Sequence, residues 1–269
     1  MIEFRSVDKT YPDGTAAVED FSLVVPAGRI TVLVGSSGCG KTTLLRMVNR
    51  MVQPTSGQVL VDGEDVAGVD PVRLRRRIGY VLQEAGLLPH RKVIDNIATV
   101  PRLNGVAKPA AHARALELME LVGLDAAMAG RYPSQLSGGQ RQRVGVARAL
   151  AADPAILLMD EPFGAVDPIV RAELQRELLR LQRELRKTIL FITHDIAEAL
   201  LLGDQLAILR AGAEIAQLGT PLEVVSNPAD DFVSDFVGLN GDRQLRVEQV
   251  DGVSVVVDGS GRPVGRVGP

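Results

Sequence analysis

The chain has a single cysteine, Cys39, among 269 residues. That excludes an intramolecular disulfide framework and any metal site built from several cysteines, and it fits a reducing compartment. No stretch approaches the ~18 consecutive apolar residues that a membrane span requires, so a membrane role is expected to come through partners. The opening residues MIEFRSVDKTYPDG lack a basic segment followed by an apolar run and do not read as a secretory signal. Positive charge is not in excess either. The 30 Lys and Arg against 33 Asp and Glu leave a net charge of -3, which argues against wholesale binding to a nucleic-acid backbone. Internal repeats and low-complexity tracts are absent from the sequence. What is there, 46% hydrophobic and 23% charged residues, is the composition of an ordinary folded protein, long enough to bury a sizeable core.

Short apolar runs without polar alternation recur between Gly and Pro: Ile30–Val34, Ile156–Met159, Ile189–Thr193 and Leu206–Leu209. Such runs read as strands buried on both faces of a covered parallel sheet. Helical patterns separate them, the clearest with Val170, Leu174, Leu178, Leu181 and Leu185 on one face, N-capped by Asp167 with Pro168 in the first turn. The alternation predicts an α/β fold with a mainly parallel sheet. Ile2–Val7, Val18–Val25 and Gly57–Val61 read as an antiparallel margin. From about Leu87 to Ala152 helical patterning takes over, with Leu116, Met119 and Val122 sharing a face, and predicts an inserted helical lobe. After Gly238 the segments Leu245–Val250, Val253–Asp258 and Pro263–Val267, around Gly259-Ser260-Gly261, read as short strands.

The segment Gly35-Ser36-Ser37-Gly38-Cys39-Gly40-Lys41-Thr42-Thr43 fits G-x-x-x-x-G-K-[ST] between the Ile30–Val34 strand and the helical pattern Leu44, Leu45, Met47, Val48. Its glycines let backbone N–H groups converge on phosphate oxygens, and the helix start behind them adds partial positive charge. Lys41 is placed to reach the β- and γ-phosphates and the Thr42 hydroxyl to ligate Mg²⁺; Cys39 reads as a small loop residue open to thiol reagents. Ile156–Met159 runs into Asp160-Glu161, at the strand end where open α/β sheets bind ligands. Asp160 suits a Mg²⁺ carboxylate opposite Thr42, and Glu161 a base that polarises water. Taken alone, the two acids read equally as a solvated strand end. Ser137 and Gln140 of Leu136-Ser137-Gly138-Gly139-Gln140 have capping-box spacing at a helix start. Two adjacent glycines there weaken the helix without local gain and suggest that an anion approaches the backbone.

Leu136–Gln140, lying between the glycine loop and the Asp160-Glu161 strand, is similar to the signature of ATP-binding cassette ATPases, and the chain resembles that family from about Met1 to Gly238. The resemblance implies a P-loop NTPase core with an inserted helical subdomain at about 87–152, with ATP and Mg²⁺ as cofactors. It makes Tyr11 the aromatic that stacks on adenine, Gln83 the loop glutamine that meets Mg²⁺ and water, and His194 the histidine that bonds the γ-phosphate. Ala165-Val166-Asp167-Pro168 resembles the loop that touches the opposite subunit, with Asp167 also free to serve as N-cap. The implied catalysis is inter-subunit: Ser137, Gly138, Gly139 and Gln140 of one chain close over the nucleotide held by Lys41 and Thr42 of another. A second cassette, as a homodimer or with a related chain, is therefore an expected partner.

The family's usual partner is a membrane permease, docked beside the Gln83 loop and the helical lobe, with a substrate-binding protein or domain acting through it. That places the chain at the cytoplasmic face of the membrane. Gly86-Leu87-Leu88-Pro89-His90 would offer apolar residues on that surface or else lie partly buried under the lobe. The wording of Ile78–His90 and Glu161–Pro168 is similar to cassettes that import quaternary amines such as glycine betaine, choline or carnitine. An importer for another solute, an exporter ATPase and a soluble cassette ATPase are the alternatives. Residues 239–269 are expected to be a vestigial fragment of the regulatory CBS modules that many relatives carry.

Overall fold

The computed structural model describes residues 1–164, 166–239, 246–250, 253–258 and 260–266. The antiparallel margin is built from β1 (Ile2–Thr10) and β2 (Ala16–Val25), whose facing side chains include Phe4 and Phe21, packed edge to face at 5.2 Å. The turn between them needs Gly14 at φ +86°, a region glycine enters without steric penalty. β3 (Ile30–Gly35) is buried at every position and leads through the glycine loop into α1 (Lys41–Val48). Next come β4 (Ser56–Val61), β5 (Glu64–Asp65), α2 (Pro71–Arg77), N-capped by Asp70, and β6 (Ile78–Val81).

The predicted lobe follows as α3 (Val93–Ile97), α4 (Thr99–Leu103), α5 (Lys108–Leu121) and α6 (Gly138–Leu150). Strand–helix alternation then resumes with β7 (Ile156–Asp160), α7 (Pro168–Leu185), β8 (Thr188–Thr193), α8 (Ile196–Leu202), β9 (Gln205–Leu209), β10 (Ile215–Gly219), α9 (Pro221–Ser226) and α10 (Asp231–Phe236). A separate sheet of β11 (Arg246–Val250), β12 (Val253–Val257) and β13 (Pro263–Arg266) ends the described chain. Leu245, Gly259 and Val267, which bounded the expected strands there, lie outside the described residues.

The central sheet runs β10–β9–β3–β8–β7–β6, parallel except for β10. Its apolar runs alternate between two cores. Val32, Val34, Leu157, Met159 and Phe191 face the α6–α7–α8 side, while Leu33, Leu158, Leu190 and Ile192 face α1 and the antiparallel sheet β2–β1–β4–β5. Covering both faces is what removes polar positions from these strands, and it makes the sheet's carboxyl edge the one place where loops are free to carry chemistry.

One expectation needs correction, and one pair of alternatives is decided. Leu116 does not share the face of Met119 and Val122: it is 41% exposed, whereas α5 buries Ala111, Ala115, Leu118 and Met119. At about 100° per residue, Leu116 falls beyond Met119 at the rim of the stripe centred on Ala115, Leu118 and Val122. In the segment after Gln83, Leu87 and Leu88 are half-buried and Leu87 packs on the core, so the buried alternative holds there.

That segment is pinned by Asn96, which is fully buried. Its Oδ1 accepts from Leu88 N–H at 2.7 Å, and its Nδ2 donates to Leu88, Arg91 and Lys92 carbonyls at 3.1, 3.0 and 3.2 Å. Asn96→Leu orphans these backbone groups and is predicted to cost about 1–3 kcal/mol. Chemical denaturation measures the loss and hydrogen exchange locates it; unchanged protection at residues 88–92 would contradict the assignment.

Candidate active site

The last residue of β3 is glycine because β9 lies against it: a Cβ at Gly35 would sit 2.5 Å from Leu209 O. Gly40, at φ +106°, closes the loop with its Cα hydrogens 
against the β2 backbone, where a Cβ would meet Ala17 O at 2.4 Å. Ser36, Ser37 and Gly38 are exposed between these fixed ends. Lys41 is 5% exposed and folds back into the loop, its Nζ donating to Gly35 O and Ser36 O, each at 2.8 Å, and lying 3.6 Å from Cys39 Sγ. The first turn of α1 has neither a side-chain cap nor an acidic residue, so its N–H groups and dipole are available to an anion. Cys39 is 2% exposed, with its carbonyl bonded to Ala213 N–H at 2.8 Å. The expectation of a reagent-accessible thiol is therefore corrected. Tyr11 comes to the same loop, its hydroxyl 3.3 Å from Thr43 Oγ1 and Lys9 Nζ 5.2 Å from its ring centre.

The strand-end acids meet this loop from β7. Asp160 is buried, accepts from Thr42 Oγ1 at 3.4 Å through one oxygen and from the Tyr80 hydroxyl at 3.1 Å through the other. Burial pushes its carboxyl above the usual range, against the opposing pull of Tyr80, Arg46 and Thr42. The Tyr80 phenol is pushed up to about 12 by its own burial and by the Asp160 charge. A divalent cation beside Thr42 and Asp160 would relieve that desolvated carboxylate, and both donors are hard oxygens of the kind Mg²⁺ takes. Among the described residues no cluster of three His, Cys, Asp or Glu could hold a metal. Most of such an ion's shell would thus come from phosphate and water.

Glu161, the next residue, has φ +42° and is held there by its N–H to Ile192 O at 3.0 Å and by Gly164 N–H to its carbonyl at 3.1 Å. The turn aims its Oε2 at His194 Nδ1, 2.9 Å away at the end of β8. Gln83 leaves β6 beside the same turn, its Nε2 3.4 Å from where a Gly164 side chain would begin. Lys41, Thr42, Asp160, Glu161, His194 and Gln83 thus come from the carboxyl ends of four neighbouring strands, as a site on an open α/β sheet requires.

The Ser137–Gln140 box forms as expected: Ser137 Oγ accepts from Gln140 N–H at 3.2 Å, and Gln140 Oε1 from Ser137 N–H at 2.9 Å. One of the two glycines, Gly139, does have a local reason, contrary to expectation. A Cβ on Gly139 would lie 2.4 Å from Val170 Cγ1, so α6 crosses α7 there at a distance only glycine allows. Among the described residues, neither Ser137 nor Gln140 hydrogen-bonds to the glycine loop. Within one chain the box and the loop remain separate. Asp167 caps α7, accepting from Val170 N–H at 3.1 Å, while Ala165 lies outside the described residues. Sequence reasoning missed Tyr80 and Arg46. Arg46 was within reach, one turn beyond Thr42 on the same helix face; Tyr80, on a strand between apolar residues, gave no signal.

A model of the ABC transporter family matches residues 18–164. Among curated proteins, the choline transport ATP-binding protein OpuBA of Bacillus subtilis is 49% identical over 238 residues, covering 88% of this chain and 62% of that protein. The glycine betaine/carnitine/choline transport ATP-binding protein OpuCA of the same organism is 50% identical with the same coverage. The glycine betaine uptake system ATP-binding protein YehX of Escherichia coli is 50% identical over 93% of this chain and 81% of its own length. The chain thus spans 62% of the length of the two Bacillus relatives. Among solved structures, the ATP-binding cassette MJ0796 in a dimeric post-hydrolysis state bound to ADP and Pi superposes with a TM-score of 0.74 at 32% identity, covering 82% of this chain and 99% of that one. The matched stretch of the family model takes in the glycine loop, Gln83, the capped glycine helix and the Asp160-Glu161 strand end, and on that ground this chain belongs to the ABC transporter family.

Proposed function

We propose that the chain is the ATP-hydrolysing subunit of an importer, working as a dimer that encloses two ATP between its copies. The observation that carries this reading is the convergence of Lys41, the Thr42–Asp160–Tyr80 bridge and the Glu161–His194 pair around one glycine loop. Lys41 and the α1 N–H groups bind the phosphates, and Tyr11 offers its ring to the base. Thr42 and Asp160 would hold Mg²⁺, with Gln83 close enough to share its water shell; when bound, the ion neutralises charge on the phosphate oxygens. Glu161 Oε2, oriented by His194, is the acceptor for a water proton, and His194 is free to turn toward the γ-phosphate. Among the described residues Ser137 and Gln140 bond each other and not their own glycine loop, which supports assigning Ser137, Gly138, Gly139 and Gln140 to the loop of a second copy. Each half-site is completed only on closure, which ties closure to ATP and opening to hydrolysis.

The importer reading, and quaternary amines as cargo, rest on relatives whose names specify choline, carnitine and glycine betaine transport. Coupling requires a permease, with a substrate-binding protein or domain acting through it. A groove of about 220 Å³ between Met51, Ile78, Tyr80, Val100 and Ala149 is the surface we assign to the permease. Arg148, beside that groove, donates to Gly86 O at 2.7 Å and Ala85 O at 2.6 Å and so fixes the loop after Gln83. No described helix is long and apolar enough to cross a membrane; on this reading the permease holds the chain at the cytoplasmic face.

Glu161→Gln keeps shape and removes the base. Turnover is expected to fall by roughly 10²–10⁴, with ATP binding retained and a nucleotide-trapped dimer visible by size-exclusion chromatography; unchanged turnover would take Glu161 out of its role. Residues 241–269 are expected to be dispensable, because β11–β13 share no strand with the other two sheets. Uptake of radiolabelled betaine by cells carrying a chain cut after Asn240 should keep its osmotic response, and a large change would show that the tail regulates.

A further inference from the structure

Helix α7 starts next to Val166 and turns its second helical turn toward the residues around His194. There Arg171 donates to Val166 O at 3.3 Å, and its guanidinium lies 3.8 Å from Asp195 Oδ2. One turn later Gln175 Nε2 donates to Glu198 Oε1 at 2.9 Å, both side chains buried. Asp195 and Glu198 fix the turn that carries the histidine. Asp195 N–H donates to Thr193 Oγ1 at 3.0 Å, and its Oδ1 accepts from Ala197 and Glu198 N–H at 2.9 and 3.2 Å.

None of these side chains takes part in the proposed chemistry. Burial pushes the Glu198 carboxyl up, with Thr193 and Gln175 opposing, and an apolar pair at the same crossing would hold two helices together at least as well. Cohesion alone does not account for them. The contacts at Arg171 and Gln175 lie one turn apart on a single face of α7, so a roll or slide of the helix either breaks them or carries the histidine turn with it. Arg171 Nε, moreover, is buried without a hydrogen-bond partner. The same guanidinium therefore has a spare donor with which to re-pair when Val166 or Asp195 shifts, which is the second arrangement that a coupling element needs.

We propose that Arg171 and the Gln175–Glu198 pair are positioning residues that clamp the His194 turn to the loop entering α7, so that a second copy pressing on that loop sets His194 and the Glu161 carboxylate it faces. This rests on the dimeric ATPase reading. Arg171, whose side chain is 32% exposed, can be changed to Gln without opening a cavity, and Gln175→Leu removes the donor to Glu198 at similar volume. In the full-length chain each variant is expected to lose about tenfold in kcat while KM for ATP stays within about twofold. The Hill coefficient for ATP should fall toward 1, and Arg171→Lys should recover part of the rate. Added to Glu161→Gln, either change should leave the ATP-trapped dimer intact. Unchanged kcat and Hill coefficient in Arg171→Gln, which decides alone if Gln175→Leu does not fold, overturn the clamp; so does a loss of trapped dimer that matches the loss of rate. A wild-type chain that never hydrolyses ATP overturns the functional reading and the clamp with it, whereas wild-type turnover equalled by the variants overturns the clamp only.

Discussion

A lysine ammonium buried in a loop of backbone carbonyls is the interaction on which the rest of this molecule depends. Lys41 is bonded to Gly35 O and Ser36 O, and among the described residues no carboxylate forms an ion pair with it. A cation withdrawn from water and left without a counter-charge favours an anion at the loop mouth. The architecture follows from keeping it there. Gly35 and Gly40 permit the close approaches of Leu209 and Ala17 that shape the loop, and α1 is locked between the two sheets by Leu44, Leu45, Met47 and Val48, all fully buried. Asp160 stays near the cation's helix through hydroxyls, of Thr42 and Tyr80, so that it shares the site without neutralising Lys41.

The second organising device is the tethering of the segment after β6 to helix α6. Gln142 donates to Leu82 O at 3.4 Å, and the two arms of Arg148 hold the Ala85 and Gly86 carbonyls. Burial pulls the Arg148 guanidinium's pKa down, so its two carbonyl partners are part of what keeps the charge tolerable there. Because α6 begins at Ser137, the loop bearing Gln83 and the glycine helix start are carried by one rigid element. A push on the groove at Met51 and Val100 would reach both at once.

Much of this was legible from the residues. Strands covered on both faces carry unbroken apolar runs between Gly and Pro, so the ends of β3, β7, β8 and β9 are legible to within a residue. The glycine loop and the Ser137–Gln140 box each announce themselves, because their chemistry needs fixed residue types at fixed spacing. What escaped depends on neighbours that a one-dimensional pattern does not contain. The Cys39 thiol is packed between Lys41 Nζ and Gly35 while its carbonyl is bonded to Ala213, far along the chain, and Gly139 is glycine because Val170 lies across it. Leu116 lies at the rim of the α5 stripe, and spacing to Met119 alone does not separate rim from core. Tyr80 and the Arg171–Gln175–Glu198 contacts are polar groups facing inward, which hydropathy reads as noise.

Glu161 sits where an L-residue pays a conformational penalty, at φ +42°, and two backbone hydrogen bonds keep it there. Glycine or asparagine would occupy that spot more comfortably. A search for hardier variants that scored only folding would therefore drift toward replacing the side chain that the proposed function uses as its base, and on that reading heat tolerance gained at this position would be a sign of an engine that no longer turns.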